Sequence, residues 1–483
     1  MRFHGTMVSL LIFTSLVSLT GCGSSNGGGS APTAGKAGVW TWEGGSGTAN
    51  TPSYGQPGVY GTLGAAASGN VPGGRDSAAS WTDSSGNFWL FGGFGVGSTG
   101  VYGYLNDLWE FNPVAKVWTW VSGTNFETAS GVYGAPGVAA AGNVPGGRTY
   151  AASWIDSGGN LWLFGGTGLD SFGNLGILND LWEFNPATKE WTWVSGSNHV
   201  GAPGIYGALG VAAAGNVPSG RYFGTTSWTY SSGNLWLFGG NGIDATGTLG
   251  MLNDLWEFNP ATKEWTWASG SDLVNAFGVY GTLGVAAAGN APGARYPGFS
   301  WIDSGGNLWL FGGHGLDSTG AFQYLNDLWE FNPATKEWTW VSGSNLIDAR
   351  GVYGSFGIAA AGSVPGSRVA GVSWIDSGGN LWLFGGVGFD SIGTSGTLND
   401  LWEFNPAAKV WTWMSGANSV GSNGGQSGVY GTLGVAAAGN VPGARDSAVS
   451  WIDSSGNLWL FGGYGYDSSG TEGYLNDLWK YQP

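Results

Sequence analysis

The sequence holds a single cysteine, Cys22, among its 483 residues. One cysteine allows no disulfide within the chain, and its N-terminal position leaves no thiol for catalysis in the rest. Charged residues are also scarce, at 10% against a usual ~25%. Basic residues are scarcer than acidic ones: the chain has 15 Lys+Arg and 31 Asp+Glu, which give a net charge of −16. This balance argues against nucleic acid, and against an anionic membrane surface as the main ligand.

Glycine and aromatic residues are abundant instead. The chain contains 95 Gly, 30 Trp, 18 Tyr and 23 Phe. Disordered chains are poor in aromatics, and the glycines lack the three-residue period of collagen. Glycines in turns and aromatics in a core are typical of an all-β protein with many short strands.

Residues 1–21 have the pattern of a signal peptide, because Arg2 precedes an apolar run that is too short to span a bilayer. The run ends in a Leu-Thr-Gly-Cys motif at Cys22 that resembles the lipobox of bacterial lipoproteins. Residues 22–37 then form a flexible Gly/Ser-rich linker. The resemblance implies an extracytoplasmic protein anchored by lipid on Cys22, and the absence of Asp after the cysteine favours the outer membrane. The alternative is an ordinary signal peptide with a stray cysteine.

Six copies of one unit follow, at steps of 73 to 77 residues. Each copy contains the motifs LNDLW and FGG, and W-T-W also occurs six times. Connectors such as DSSGN and NPATKE divide a unit into four strands: strand a after a turn arginine, strand b at NLWLFGG, strand c at LNDLWEFNP and strand d at EWTWVSG. Repeated four-stranded antiparallel units predict an all-β fold, a six-bladed β-propeller over residues 38–483.

These motifs resemble the kelch repeat, in which a hydrophobic strand ends in Gly-Gly and is followed by an aromatic strand with Asn-Pro and by a Trp strand. The resemblance covers about residues 36–483 and implies a fold like the central domain of galactose oxidase. Kelch repeats run to ~50 residues, and the excess here lies mostly between strands d and a. The chain begins on an orphan strand d at residues 39–42 and ends on strand c at residues 475–481. We therefore expect the N-terminal strand to complete the last blade and to leave no open edge.

Alternating strand directions place the short a–b and c–d turns at one face and the long b–c and d–a loops at the other. Binding sites favour long loops on a rigid scaffold, so the b–c and d–a face, with the channel mouth at its centre, is the predicted working face. All 30 Trp occupy five fixed positions per repeat, so we expect blade core rather than a sugar-stacking surface.

Two repeated ionisable positions are candidates for function. The turn arginines form either a basic ring that binds a carboxylate or sulfate, or structural groups bonded to carbonyls or to an acid of the neighbouring blade, for which the LND aspartate is the natural partner. These arginines are Arg75, Arg148, Arg221, Arg295, Arg368 and Arg445. An aspartate in five b–c loops either caps a tight Asx turn or binds calcium. These aspartates are Asp170, Asp244, Asp317, Asp390 and Asp467.

A specific site needs positions that differ between repeats. Two such positions are the residue after the turn arginine and the residue after Gly-Gly. The predicted ligand-binding residues at these positions are Asp76, Asp446, Tyr222, Tyr296, His314 and Tyr464. Asp76 and Asp446 come to lie in adjacent blades when the ring closes. Neutral drift on a tolerant surface is the alternative explanation of this variation.

The resemblance also raises two enzyme chemistries. Galactose oxidase needs a Tyr–Cys crosslink and two His on copper, whereas this chain has only Cys22, and its two later histidines lie on different blades. A sialic-acid-epimerase-like enzyme needs only acids, bases and arginines at the channel mouth, so a carbohydrate-active enzyme stays an alternative. We expect instead a non-catalytic, monomeric interaction module that has no cofactor. This module would bind a protein or a glycan of the cell envelope or its surroundings. A purely structural repeat protein is the third hypothesis.

Overall fold

Six four-stranded antiparallel sheets form the blades of a β-propeller, in a computed structural model that describes residues 38–49, 55–230, 233–296 and 298–483. The described residues contain no helix, and none of their segments is long and apolar enough to cross a membrane as a helix. The predicted signal peptide, Cys22 and the linker to residue 37 lie outside the described residues.

Each blade runs from an inner strand a to an outer strand d. Strand a spans Ala79–Thr82, Ala152–Ile155, Thr226–Thr229, Phe299–Ile302, Val372–Ile375 and Val449–Ile452 in blades 1 to 6. Strand b spans Phe88–Phe91, Leu161–Leu169, Leu235–Ile243, Leu308–Leu316, Leu381–Phe389 and Leu458–Phe461. Strand c spans Leu108–Asn112, Leu175–Asn185, Leu249–Asn259, Phe322–Asn332, Ser395–Asn405 and Leu478–Gln482. Strand d spans Val117–Ser122, Glu190–Ser195, Glu264–Ser269, Glu337–Ser342, Val410–Ser415 and, for blade 6, Val39–Gly44.

Short strands extend the blades toward the channel mouth. Two-residue strands begin at five of the turn arginines and span Arg75–Asp76, Arg148–Thr149, Arg295–Tyr296, Arg368–Val369 and Arg445–Asp446. In blades 1 and 6 the b–c hairpins form separate strands at Phe94–Val96, Tyr102–Tyr104, Tyr464–Tyr466 and Glu472–Tyr474.

The N-terminal strand closes the ring, as the sequence predicts. Trp40 pairs with Tyr481 and Trp42 with Trp479, antiparallel, so Val39–Gly44 is the outer strand of blade 6. Strand a of the last blade packs beside strand a of the first. The six blades therefore form a closed circle without a free edge at the seam.

An ion-pair cluster marks this seam. The Glu43 carboxylate is buried; it accepts a hydrogen bond from Lys116 Nζ at 2.5 Å and forms an ion pair with Lys480 Nζ at 3.2 Å. Strand d of the other blades has Val, Ala or Met at the position of Glu43, and strand c has Glu at the position of Lys480. Charge complementarity thus pairs the N-terminal strand with the C-terminal one in particular.

The core lies between neighbouring blades. One cluster joins Trp89 and Phe91 of blade 1 to Leu163, Trp182 and Phe184 of blade 2, and the other interfaces repeat this arrangement. The strand-a indole Nε1 in every blade donates to a strand-b carbonyl of the next blade at 2.9–3.3 Å, and the ring closes from Trp451 to Trp89. The prediction that tryptophan forms blade core is consistent with this packing.

The long d–a segments do not simply project from the face. In each repeat, the part of this segment that carries the G-V/I-Y-G motif lies along the outer strand of the blade it leads into. In blade 1, Gly64 N donates to Trp120 O at 2.7 Å and Asn70 Nδ2 donates to Trp118 O at 3.0 Å. We call these parts the edge straps; they span residues 58–71, 131–144, 204–217, 278–291, 351–364 and 428–441. The straps cover the outer backbone edge of each blade, and they account for the unusually long repeat.

Candidate binding face and channel mouth

Each turn arginine is buried in an ion pair inside its own blade. Arg75 Nη1 and Nη2 donate to the two carboxylate oxygens of Asp107 at 2.7 and 2.8 Å, and Nε donates to Gly73 O at 3.1 Å. The same bidentate pair forms in the other blades, at Arg148–Asp180, Arg221–Asp254, Arg295–Asp327, Arg368–Asp400 and Arg445–Asp477. The LND aspartate is thus the partner of the turn arginine, as in the structural alternative. It belongs to the same blade as the arginine, and not to the neighbouring blade. The guanidinium groups are not presented to solvent, so the geometry does not support the arginine ring as a ligand site.

A tyrosine of each edge strap completes this buried group. Tyr60 Oη donates to Asp107 Oδ2 at 2.7 Å, and Trp109 Nε1 donates to the same oxygen at 2.7 Å. Burial and the adjacent carboxylate raise the pKa of Tyr60 far above its ordinary value. Burial lowers the pKa of Arg75, but the charge and hydrogen bonds of Asp107, together with Tyr60, outweigh this effect, so the pKa is raised. The tyrosine recurs in all six straps, and this repetition was the signal that could have identified it as the anchor of the d–a segment.

The b–c loop aspartates cap their own turns. Asp317 Oδ1 accepts Thr319 N at 2.7 Å and Ala321 N at 3.0 Å, and Oδ2 accepts Ile347 N of the d–a loop at 3.3 Å. These hydrogen bonds outweigh burial and hold the pKa of Asp317 below its usual value. Blade 1 has Gly97 at this position, and Glu127 of the d–a loop replaces the missing carboxylate by accepting Gly97 N at 2.9 Å. The described residues contain no group of three or more His, Cys, Asp or Glu that could hold a metal ion.

The two variable positions at the mouth are cross-strand neighbours. Asp446 pairs with Tyr464 and Tyr296 with His314, in both cases by backbone register. The Tyr296 hydroxyl lies 3.1 Å from His314 Nδ1, and His314 Nε2 lies 2.9 Å from Gln323 Oε1. Burial lowers the pKa of His314 and so favours its neutral form. The mouth thus combines side chains that the sequence placed at separate motifs.

Asp76 and Asp446 lie near each other at this mouth, as ring closure predicts. Burial is the main cause that raises the pKa of Asp76 to about 8, and the charge of Asp446 contributes in the same direction. Burial also raises the pKa of Asp446 to about 6, with a contribution from Glu472. No Lys or Arg is paired with either carboxylate among the described residues. The mouth is therefore a place where negative charge is unfavourable and only partly compensated.

Aromatic rings occupy the other side of the mouth. Phe223 packs on Tyr150, Tyr222 and Tyr296, with ring centroids 5.5, 4.2 and 5.3 Å away. Beside the acid pair, Tyr474 of blade 6 contacts Phe94 of blade 1 at 5.8 Å. Tyr222 and Tyr296 were singled out in the sequence, whereas Tyr150, Phe223 and Tyr474 were not. These three residues could have been identified because each occupies a position that varies between repeats.

Blade 3 is the irregular part of this ring. It has one residue more between Arg221 and Trp228 than the other blades have, and Ser219 replaces a glycine. In blade 1 a Cβ on that glycine, Gly73, would meet Val96 O at 1.8 Å, so the serine requires a different path of the chain. Arg221 accordingly forms only an isolated bridge instead of a two-residue strand. The insertion places Phe223 at the mouth.

Exposed apolar side chains divide the two faces. We call the face with the a–b and c–d turns the hairpin face and the face with the b–c and d–a loops the loop face. On the loop face the large exposed apolar side chains are Val101, Tyr102, Phe126, Phe172, Leu175, Tyr222, Leu249, Leu273, Phe277, Phe322, Leu346 and Ile392. Among the described residues, Val114 is the only one with this property in an a–b or c–d turn, and the other sixteen exposed apolar side chains lie on the edge straps along the outer strands. Large exposed apolar patches are typical of interaction sites, so this asymmetry favours the loop face as the binding face.

Comparison with known proteins does not assign the chain to a family. No protein-family model matches the chain, and no curated protein matches it. Among solved structures, that of YjhT is similar at 16% identity, with a TM-score of 0.48, over 84% of this chain and 95% of that chain. The assignment as a six-bladed β-propeller therefore depends on the strand pairing within this chain.

Proposed function

We propose that the protein is a kelch-type propeller that is held at a bacterial membrane by lipid on Cys22 and binds a protein or a glycan of the cell envelope through its loop face. The distribution of exposed apolar side chains supports this proposal most directly, because, apart from those on the edge straps, they line the b–c and d–a loops and are nearly missing from the a–b and c–d turns. Most tryptophans are buried in the core between blades, and the exposed loop residues lie outside this core. Burying several half-exposed Phe and Leu side chains contributes on the order of 1 kcal/mol each to binding.

The experiment compares the full chain with two surface variants. Envelope extract and a glycan array are each presented to the wild type, to Phe172→Lys combined with Phe322→Lys, and to the control Val114→Lys. Phe172 and Phe322 are exposed on the loop face, and Val114 is exposed on the hairpin face. We expect one protein or glycan to be retained by the wild type and by the control but lost with the loop variant. Equal retention by all three proteins would show that the loop face is not the binding surface.

A carbohydrate-active enzyme at the channel mouth is a second candidate. It is favoured by the acid pair, because the unequally raised pKa values of Asp76 and Asp446 are typical of acid–base catalysis. An Asp76→Asn variant that binds a sugar normally but no longer converts it would support the enzyme. Binding without any conversion by the wild type would leave the interaction module as the function.

A further inference from the structure

The channel ends in a cavity at the hairpin face, opposite the acid pair. Its volume is about 420 Å³, which is within the range of small-ligand sites. Alternate residues of strand a line it, because their side chains point into the channel while Trp81 and its equivalents point into the core. Besides parts of Trp228, Trp301, Trp374 and Trp451, the lining consists of two successive rings, an inner ring of serines and an outer collar of isoleucine and threonine.

The inner ring presents hydroxyl oxygens that can accept hydrogen bonds. Ser373 Oγ donates to Ser300 O at 3.1 Å, and each of four other serines donates in the same way to the serine carbonyl of the preceding blade. The other donor serines are Ser153, Ser227, Ser300 and Ser450, at 3.1–3.4 Å. A hydroxyl has one proton and two lone pairs, so these oxygens are left to accept donors from the channel. A ligand that donates several hydrogen bonds therefore fits this ring.

The collar outside this ring is largely aliphatic. It consists of Thr82, Thr229, Ile302, Ile375 and Ile452, and no Lys, Arg or His lines the cavity. Ile155 continues the collar beside a smaller adjoining cavity that Asp83 and Asp156 also line. The aliphatic side chains can pack against methylene groups, and they exclude water from the hydrogen bonds beneath them.

Carboxylates surround the collar. The residue after strand a is an aspartate in five blades, at Asp83, Asp156, Asp303, Asp376 and Asp453. These carboxylates are held in place by turn N–H groups and by an indole, as where Trp309 Nε1 donates to Asp303 Oδ2 at 2.9 Å. A ring of like charge around a low-dielectric opening focuses the electric field and attracts cations.

We propose that this cavity binds an aliphatic primary ammonium group, with the methylene chain against the isoleucine collar and the three ammonium protons donated to the serine ring. Both a free alkylamine and the lysine side chain of a partner have this chemistry. The site is independent of the proposed loop-face function, because it lies at the other end of the channel.

The test titrates the full chain by calorimetry with n-butylammonium, with n-butanol as its neutral counterpart, and with an acetylated Gly-Lys-Gly amide peptide. We expect saturable binding of n-butylammonium that is at least about tenfold tighter than that of n-butanol, a difference of about 1.4 kcal/mol. Binding of the peptide as well indicates a protein partner, and binding of n-butylammonium alone indicates a small amine; either result supports the site.

Two variants locate the binding. Ile302→Trp fills the collar without removing a serine, and we expect it to abolish binding. Val114→Trp adds the same side chain to an exposed position of the hairpin face outside the channel, and we expect it to bind as the wild type does. The proposal is overturned if n-butanol binds as tightly as n-butylammonium, if Ile302→Trp binds normally while its melting temperature is unchanged, or if the wild type binds neither amine.

Discussion

Asp76 is expected to destabilise the folded protein at alkaline pH, so Asp76→Asn should stabilise it there. The pKa of this carboxyl is about 8 in the folded state against an ordinary value of 3.8. Between these values the folded state holds a proton that the unfolded state has lost. The free energy of unfolding therefore falls as the pH rises from about 4 to about 8, and the full penalty is present above pH 8.

The size of the effect follows from this pKa gap. A gap of about four pH units corresponds to roughly 6 kcal/mol at full strength. Asp76 is only partly buried by its neighbours and reaches the channel, so screening by water reduces the expected gain to roughly 1 to 3 kcal/mol. For a chain of this size, that gain corresponds to a rise in melting temperature of roughly 1 to 3 °C.

The assay is thermal unfolding followed by tryptophan fluorescence at pH 4.5 and pH 9. We expect Asp76→Asn to melt above the wild type at pH 9 and close to it at pH 4.5, where the penalty is small. Asp272→Asn, which removes a carboxylate from a d–a loop, is the matched control for the change in net charge. The reasoning is refuted if Asp76→Asn is destabilised equally at both pH values, because the ionised carboxylate would then be making a favourable contact.

Three further predictions concern the closure, the buried ion pairs and the b–c loops. Lys480→Glu removes one partner of the buried Glu43 and should lower the free energy of unfolding in urea by about 1 to 3 kcal/mol. Adding Glu43→Val restores the pattern of the other blades and should recover most of that stability. If no stability is recovered, this cluster has no role in pairing the two strands. Arg295→Met leaves the Asp327 carboxylate buried without its cationic partner, so we expect the free energy of unfolding in urea to fall by about 3 to 5 kcal/mol. A fall of less than about 1 kcal/mol would contradict the stabilising role of the buried pair. Excess chelator should leave the melting temperature unchanged, because Asp317 already accepts hydrogen bonds on both carboxylate oxygens. A lower melting temperature in chelator would instead indicate calcium in the b–c loops.

Much of the candidate site could be anticipated from the repeats. Asp76 and Asp446 follow equivalent arginines in the first and last copies, so ring closure alone brings them into adjacent blades. The effect on their pKa could not be predicted, because burial depends on which side chains cover the mouth. Phe223 shows the same limit: the inserted residue is visible in the sequence, but its packing on Tyr150 and Tyr296 is a contact between three blades.

The blades and their number could be predicted from the sequence, because alternating strands and repeated turns are local patterns. Ring closure could be predicted as well, because the chain begins with an extra strand d and the last repeat lacks one. The folded structure was needed to show that the turn arginines are fully paired inside their blades, where the strap tyrosines meet Asp107 and its equivalents. It also decided that the d–a segments lie along the blade edges, and that the serine ring closes around a cavity. The physical reason is the same in each case: these contacts join residues far apart in the chain or in different blades, so no local pattern of hydrophobicity or turn chemistry specifies them.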